Sequence, residues 1–292
     1  AVRGKLTVDE MANADLPYPE VTLSDGTRVT LNTSGYSMAR TSTNRDDRRL
    51  VFDEFYKTLQ QYRNTFGATL SAQVRKDLFS AQSRGYKDCL EAALDRNNIP
   101  VAVYHSLIEN VNANLDSFHR YLKIKKRMLG VDTLEYIDLY APTVEDVDLH
   151  YPIDEADRIV LEALAPLGEE YGGIVRTAME HRWIDVYPTP GKRSGAYSSG
   201  NAYDVHPYIL LNYNGNYSDV STLAHELGHT MHSYYSNRTQ PYPLADYSIF
   251  VAEVASTFNE ALLIDYMLKK LDDDDTRLSL LMEYLDGLKG TV

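Results

Sequence analysis

The pentapeptide that starts at His225 and ends at His229 constrains the fold of this chain most, because it reads H-E-x-x-H. Residues four positions apart lie about 40° apart around an α-helix and one turn apart along it, so the two histidines would share one face. Imidazoles placed in this way can bind one metal ion, and zinc is the usual one. We therefore predict a helix over residues 219–235, with Ser218 or Asp219 as its N-cap.

Glu226 follows the first histidine of the motif, and its carboxylate could take a proton from a water molecule that the metal activates. A catalytic zinc ion usually keeps three protein ligands and one open position, so a third ligand is expected further along the chain. Glu253 lies 24 residues after His229, within a helix predicted over residues 247–271. Because this gap leaves room for a loop and a returning helix, we predict that Glu253 is the third ligand.

Glu260 lies seven residues after Glu253, on the same face of the predicted helix but about 10 Å further along its axis. Only one of the two glutamates can therefore reach the metal directly, and the other could orient a ligating histidine. We predict that Glu260 has this orienting role. The alternative is that both are acidic residues on a solvent-exposed helix face.

His232 adds a third histidine to the stripe that carries the motif. It lies about 10.5 Å along the helix axis from His225, too far for one ion to bind both when zinc–nitrogen bonds measure about 2.1 Å. A pair of His229 and His232 could also bind an ion, but it would leave Glu226 without a role. His232 is then a residue next to the ligands, a substrate contact or a packed side chain.

Gly228 lies inside the predicted helix, where glycine costs about 1 kcal/mol relative to alanine. The close approach of another backbone beside a metal site would explain it. The alternative to a metal site is a helix that carries the motif without binding metal. A purely structural zinc site is disfavoured, since such sites usually recruit cysteines and Cys89 is the single cysteine of the chain.

Residues 208–213 are the best strand candidate, and the strand runs directly into the motif helix. An extended peptide could pair with an exposed edge of this strand through main-chain hydrogen bonds, with Tyr208 and Asn212 as candidate substrate contacts. The other interpretation is an ordinary buried strand whose residues 209–211 belong to the core.

The remaining patterns predict a mainly α-helical chain. Residues 19–31 read as a β-hairpin, and helices are predicted over most of 45–129, over 154–181 and over 276–288. An acidic, proline-containing loop is expected over 139–152. We divide the chain into an N-terminal segment, a helical region and a zinc-binding core that cover 1–34, 35–187 and 188–292.

The net charge of −13 disfavours nucleic acid or an anionic membrane as the main partner. No apolar run approaches the roughly 20 residues of a membrane span. One cysteine permits no internal disulfide and fits a reducing cytoplasm. The sequence carries no signal for an oligomeric state.

Four segments together resemble the oligoendopeptidase F group of the thimet-type oligopeptidase family of zinc peptidases. In chain order they read W-I-D-V-Y-P at 183–188, G-K-R-S-G-A-Y at 191–197, H-P-Y-I-L-L-N-Y-N-G at 206–215 and T-L-A-H-E-L-G-H-T-M-H-S at 222–233. The stretch around Glu253 and Ser256 is similar to the segment in which the family carries its third ligand.

The resemblance implies a zincin-like core with a small β-sheet beside the H-E-x-x-H helix, in a fold that closes a deep channel. It implies a cytoplasmic enzyme that cleaves short peptides with one Zn²⁺ ion held by His225, His229 and Glu253, and with Glu226 as the general base. The alternative is a relative that binds metal or peptides without catalysis.

The chain departs from the family towards its C-terminus. Family members continue into a histidine- and tyrosine-containing region that binds substrate, whereas no histidine follows His232 here. We therefore expect a fold that is incomplete relative to the full family fold and a chain that binds zinc but is poorly active alone, because one lost oxyanion donor typically costs about 10²–10³ in rate.

Overall fold

A computed structural model describes Val8 and residues 11–144, 150–189, 192–193 and 195–291. Parts of three predictions therefore lie outside the described residues. They are the start of the N-terminal segment, residues 145–149 of the acidic loop, and Gly191 and Ser194 of the segment 191–197, which we call the glycine-rich stretch. The described chain is mainly α-helical with two small sheets, which confirms the predicted fold class. None of the described helices is long and apolar enough to cross a membrane.

The chain divides into two compact units, of which the first ends at Thr143 and the second begins at Val144. The division at residues 34/35 and 187/188 remains a prediction. In the first unit a short π-helical turn, Met11–Asp15, precedes an antiparallel hairpin of β1, Glu20–Thr22, and β2, Arg28–Thr30. The predicted hairpin is thereby confirmed.

The helices of the first unit follow the hairpin in sequence. They are α1, Thr33–Ala39; α2, Arg45–Gln61; α3, Arg63–Ser83; α4, Cys89–Asp95; α5, Val101–Ala113; and α6, Leu115–Met128, followed by the 3₁₀ turn Tyr136–Asp138. The core of this unit lies between the hairpin, α1 and α2, where the rings of Tyr36 and Phe55 stack with their centroids 4.2 Å apart. Burial of these aromatic rings removes a large apolar area from water and stabilises the unit.

The second unit contains the predicted core and its supporting helices. They are α7, Ile153–Ala163; α8, Glu169–Glu180; α9, Tyr217–Thr239; α10, Ile249–Lys270; and α11, Asp274–Thr291. The predicted helix over 154–181 is interrupted between α7 and α8 by the 3₁₀ turn Ala165–Leu167, which ends at Gly168 with a φ of 92° that redirects the chain into α8.

Helix α9, which carries the H-E-x-x-H motif, begins at Tyr217. Its N-cap is Asn216, whose side-chain oxygen accepts a hydrogen bond from the backbone N–H of Asp219, while the Asp219 carboxylate accepts one from the backbone N–H of Asn216. The prediction of Ser218 or Asp219 as the cap was wrong. Asp219 does act at this helix end, but as the third helical residue of a reciprocal capping box.

The sheet of the second unit corrects the prediction for residues 208–213. Strand β5, Tyr208–Leu210, is the central strand: it pairs in parallel with β3, Ile184–Asp185, and antiparallel with β4, Tyr197–Ser199. Both edges of β5 are therefore occupied, and it cannot add a substrate strand as predicted. The other interpretation holds, since Ile209 and Leu211 are buried in the core of this unit.

Candidate metal centre

Three side-chain atoms of helices α9 and α10 converge on one point. The Nε2 atoms of His225 and His229 lie 3.2 Å apart, and Oε2 of Glu253 lies 3.3 Å from each of them. Ligand atoms bound at about 2.0–2.1 Å around a tetrahedral ion lie about 3.3 Å from one another. Among the described residues this is the group of histidine and carboxylate side chains close enough to hold a metal ion. The donor set therefore fits zinc in both its chemistry and its spacing.

The contact between the two helices depends on Gly228, one residue before the second histidine. A Cβ atom at this position would lie 2.5 Å from Cα of Ser256 and 2.6 Å from the carbonyl oxygen of Ala255. Both atoms belong to the backbone of α10, so they could not move aside as a flexible side chain could. The missing side chain thus allows α10 to approach α9 closely enough for Glu253 to reach the two histidines.

Two of the three candidate ligands, His225 and Glu253, have a partner that can fix their orientation. Oε1 of Glu260 lies 3.3 Å from Nδ1 of His225, the ring nitrogen that faces away from Glu253. The buried hydroxyl of Ser256 donates a hydrogen bond of 2.8 Å to Oε2 of Glu253. The sequence predicts an orienting role for Glu260 but none for Ser256. The spacing of three residues after Glu253 is the local signal that could have revealed it.

The carboxylate of Glu226 is buried beside the three converging atoms. It is 6% exposed, and its Oε2 atom has no hydrogen-bond partner among the described residues. Burial raises the pKa of Glu226, an effect that the neighbouring His225 partly offsets. Because a buried polar atom without a partner is costly, this oxygen is suited to accept a hydrogen bond from a bound water or substrate.

The two motif histidines differ in their electrostatic surroundings. Burial lowers the pKa of His225, but the neighbouring carboxylates, above all Glu260, outweigh burial and raise it. Burial lowers the pKa of His229 and is the larger influence there. Metal binding requires the neutral imidazole, so an ion at this site would compete with a proton at both rings.

The third histidine of the stripe lies outside the converging group. The ring of His232 stacks on that of Tyr247 with centroids 3.7 Å apart and an interplanar angle of 13°, and its Nδ1 atom is buried without a hydrogen-bond partner among the described residues. Burial lowers the pKa of His232. Packing on Tyr247 thus accounts for its position, whereas contact with a substrate remains a prediction.

The two candidate substrate contacts near β5 lie in different settings. Tyr208 is 50% exposed and packs against the ring of His206. The amide nitrogen of Asn212 donates hydrogen bonds to the carbonyl oxygens of Arg193 and Gly195, at 3.0 and 2.7 Å. Asn212 therefore ties the glycine-rich stretch to the end of β5, and a role for either residue in binding substrate remains a prediction.

Comparison with known proteins places these features in a family. The profile described as peptidase family M3 matches residues 38–291. The oligopeptidase PepF of Bacillus subtilis is 46% identical over 286 residues, which cover 98% of this chain and 42% of the relative. Group B oligopeptidase PepB of Streptococcus agalactiae is 40% identical over 98% of this chain and 47% of its own length.

A solved structure extends the similarity to the fold. The crystal structure of oligoendopeptidase-F from Enterococcus faecium aligns with a TM-score of 0.67 and 33% identity, over 99% of this chain and 44% of that one. The chain thus spans about half the length of the relatives it matches. The resemblance predicted from the sequence motifs is confirmed.

Proposed function

The chain belongs to peptidase family M3, and on this basis we propose that it hydrolyses short peptides at one zinc ion held by His225, His229 and Glu253. The single observation that carries the proposal is the triangle of two imidazole nitrogens and one carboxylate oxygen, with sides of 3.2, 3.3 and 3.3 Å. Three protein ligands with one position left open are the usual arrangement of a catalytic zinc site.

When bound, zinc would supply Lewis-acid chemistry, polarising a carbonyl oxygen and making a water molecule more acidic. In this proposal Glu226 is the general base: it accepts a proton from the attacking water and returns it to the nitrogen of the leaving amine. Its buried position and the free Oε2 atom support this role, because the carboxylate has an accepting oxygen that no described side chain occupies.

Glu260 and Ser256 support the ligands in this proposal. The Glu260 carboxylate would accept a hydrogen bond from the Nδ1–H of His225, which would leave the lone pair of Nε2 free to bind the ion. Ser256 holds the carboxylate of Glu253 through its hydroxyl. Both act on the orientation of a ligand and neither would contact the peptide.

Short peptides are the proposed substrates, and the names of the relatives, oligopeptidase and oligoendopeptidase, support them. Strand β4 rather than β5 is the proposed docking edge, since among the described residues β4 pairs on one side alone. The single cysteine supports a reducing compartment such as the cytoplasm. The activity is proposed for the whole protein, because the matched relatives are about twice as long, and weak activity of this chain alone stays a prediction.

The experiment that tests the proposal compares Glu226→Gln with the unaltered protein. Zinc content is measured by mass spectrometry and turnover by cleavage of an internally quenched fluorescent oligopeptide. The variant is expected to keep one zinc ion per chain and to lose turnover by about 10² or more, because the proton acceptor is gone. A variant that keeps a near-normal rate would contradict the role of Glu226, and a protein that binds zinc but cleaves no peptide would favour a non-catalytic relative.

A further inference from the structure

We infer that Asn212 is a positioning residue that holds strand β4 ready to accept an extended peptide, with Lys192 as a second anchor of the same strand. The inference rests on the proposed function, because it assigns these residues a task only if β4 is the docking edge. Lys192 lies in the connection from β3 to β4, and Asn212 lies two residues after the end of β5.

The connection from β3 to β4 crosses the end of the sheet. β3 runs parallel to the central strand β5 and β4 runs antiparallel to it, so β3 ends and β4 begins at the end of the sheet where β5 also ends. The chain between β3 and β4 therefore passes the C-terminal end of β5. Backbone carbonyl groups in such a crossing segment leave the ladder of the sheet and need other hydrogen-bond partners.

The side-chain amide of Asn212 provides two of these partners. Strands β4 and β5 pair Tyr197 with Leu210 at this end of the sheet. Continued by two residues in each strand, the same register sets Gly195 opposite Asn212. The amide nitrogen of Asn212 donates hydrogen bonds to the carbonyl oxygens of Gly195 and Arg193, at 2.7 and 3.0 Å. One amide group thus holds the chain at the point where the backbone ladder of β4 stops.

Lys192 anchors the same connection to the end of β3. Its ammonium group donates hydrogen bonds to the carbonyl oxygens of Asp185 and Tyr187, at 3.1 and 2.7 Å, and lies 3.2 Å from Oδ1 of Asp185. The side chain is 4% exposed although it carries a charge. Because a buried ammonium group is costly unless it is bonded in this way, the position of Lys192 is closely fixed on the sheet.

Strand β4 needs such anchors because it is short. It has three residues, and among the described residues it pairs with β5 alone, so few ladder hydrogen bonds hold it. A strand that detaches part of the time can pair with a peptide only while it is attached, and the apparent affinity falls by that fraction. Anchors that keep the edge formed therefore increase the affinity for a peptide without touching it.

The test is Asn212→Asp, which keeps the shape of the side chain and removes both N–H donors. In the full protein we expect KM for the fluorescent oligopeptide to rise about 10-fold, as for one or two lost hydrogen bonds, with kcat and zinc content unchanged. The dissociation constant of the uncleaved peptide, measured in the Glu226→Gln background, should rise by the same factor. Hydrogen exchange of the backbone amides of residues 197–199 should become faster without peptide.

Peptides that lack one backbone N–H distinguish a lost docking edge from a general loss of stability. N-methylation of each peptide nitrogen in turn identifies the position whose N–H contributes most to kcat/KM in the unaltered protein. The penalty of N-methylation at this position should be smaller in Asn212→Asp and in Asn212→Ala, because a peptide that cannot pair with β4 gains nothing from an anchored strand.

Asn110→Asp is the matched control. It makes the same chemical change in the first unit, where the exposed amide of Asn110 donates a hydrogen bond of 2.7 Å to the carbonyl oxygen of Ser106. KM and the exchange of residues 197–199 should stay within about twofold of the unaltered protein.

The inference is overturned if Asn212→Asp keeps its KM, if kcat falls instead, or if N-methylation costs the same factor in the variants as in the unaltered protein. A rise of KM in Asn110→Asp as large as in Asn212→Asp would also overturn it. These results are distinct from a failure of the proposed function. If Glu226→Gln remained active, the role of Glu226 would itself be wrong, whereas an inactive Glu226→Gln beside an unchanged KM in Asn212→Asp would remove the inference alone.

Discussion

Oε1 of Glu260 lies 3.3 Å from Nδ1 of His225, while Nε2 of the same ring faces Glu253. One imidazole therefore lies between two carboxylates, and each of its nitrogens has its own partner. A carboxylate on the outer nitrogen of a metal-binding histidine fixes the tautomer and the ring orientation, and its removal typically costs 10–100-fold in metal affinity.

Glu260→Gln should therefore weaken zinc binding by about 10–100-fold without abolishing it. The measurement is a competition titration against a zinc chelator of known affinity. Asp265→Asn is the matched control, since Asp265 lies on the same helix and pairs with Lys269 on the surface. An affinity for zinc that is the same in Glu260→Gln and in the control would contradict the orienting role.

Gly228→Ala tests the close contact of α9 and α10. The added Cβ would meet the backbone of α10 at 2.5 Å, so the helices must separate, and we expect a loss of about 2–5 kcal/mol in the free energy of unfolding together with weaker zinc binding. Gly173→Ala in α8 is the control, because a Cβ there meets nothing within 4 Å.

The free energy of unfolding of the control variant should not fall. Alanine is favoured over glycine inside a helix by about 1 kcal/mol, so Gly173→Ala should be neutral or slightly stabilising. Urea unfolding of both variants measures the difference. If Gly228→Ala were as stable as Gly173→Ala, the approach of the two helices would not depend on the missing side chain.

The ionised carboxylate of Asp138 in the first unit makes the stability of the fold depend on pH in the acidic range. Burial raises the pKa of Asp138, but hydrogen bonds from Arg45, the backbone N–H of Glu135 and Arg48 outweigh burial and hold it at about 2. Because the folded pKa lies below the unfolded value of 3.8, the stabilisation is complete above that value and is lost as the pH falls towards 2.

Asp138→Asn should lower the free energy of unfolding at pH 7 by about 3–5 kcal/mol, since the buried guanidinium of Arg48 loses its charged partner. The difference between the variant and the parent should shrink as the pH falls from 4 to 2. The exposed Asp53 on α2 provides the control Asp53→Asn, expected within about 0.5 kcal/mol. A difference that stays constant across this range would contradict the assignment to Asp138.

At Asp157 the change of stability with pH should have the opposite sign. Burial, with a smaller contribution from Asp154, raises its pKa to about 6, so the folded state holds the proton more tightly than the unfolded state with its value of 3.8. Its ionisation therefore reduces stability as the pH rises from about 4 to 6.

Asp157→Asn should consequently stabilise the protein at pH 7 by about 1–2 kcal/mol and have little effect at pH 4, where the native aspartic acid is largely protonated. Thermal unfolding at the two pH values measures both effects in one pair of proteins. A variant that is no more stable than the parent at pH 7 would show that the Asp157 carboxylate is better solvated than its burial implies.

The features that the sequence predicted correctly are those set by local periodicity. The helix over residues 219–235 was predicted from the spacing of His225 and His229, and α9 covers it. Its start was missed by two residues, because Asn216, Ser218 and Asp219 are all good capping residues and the choice among them depends on a reciprocal hydrogen-bond pair. The hydrogen bond from Ser256 to Glu253 is not among the predictions, although the spacing of the two residues is local.

The features that the sequence could not predict depend on pairing between distant residues. β5 reads as a good strand, but its central place depends on β3 and β4, which are two and three residues long and carry no recognisable pattern of their own. The contact of Ser198 with Thr230 joins residues 32 positions apart, and no sequence pattern predicts it. Pairwise distances of this kind require the folded chain.

The most direct test of the central claim is the anomalous scattering of zinc in crystals of the metal-loaded protein, measured on both sides of the zinc absorption edge. We expect one peak, within about 2.0–2.2 Å of Nε2 of His225, Nε2 of His229 and a carboxylate oxygen of Glu253. A peak elsewhere, or a metal-loaded protein with no peak at these three side chains, would contradict the account.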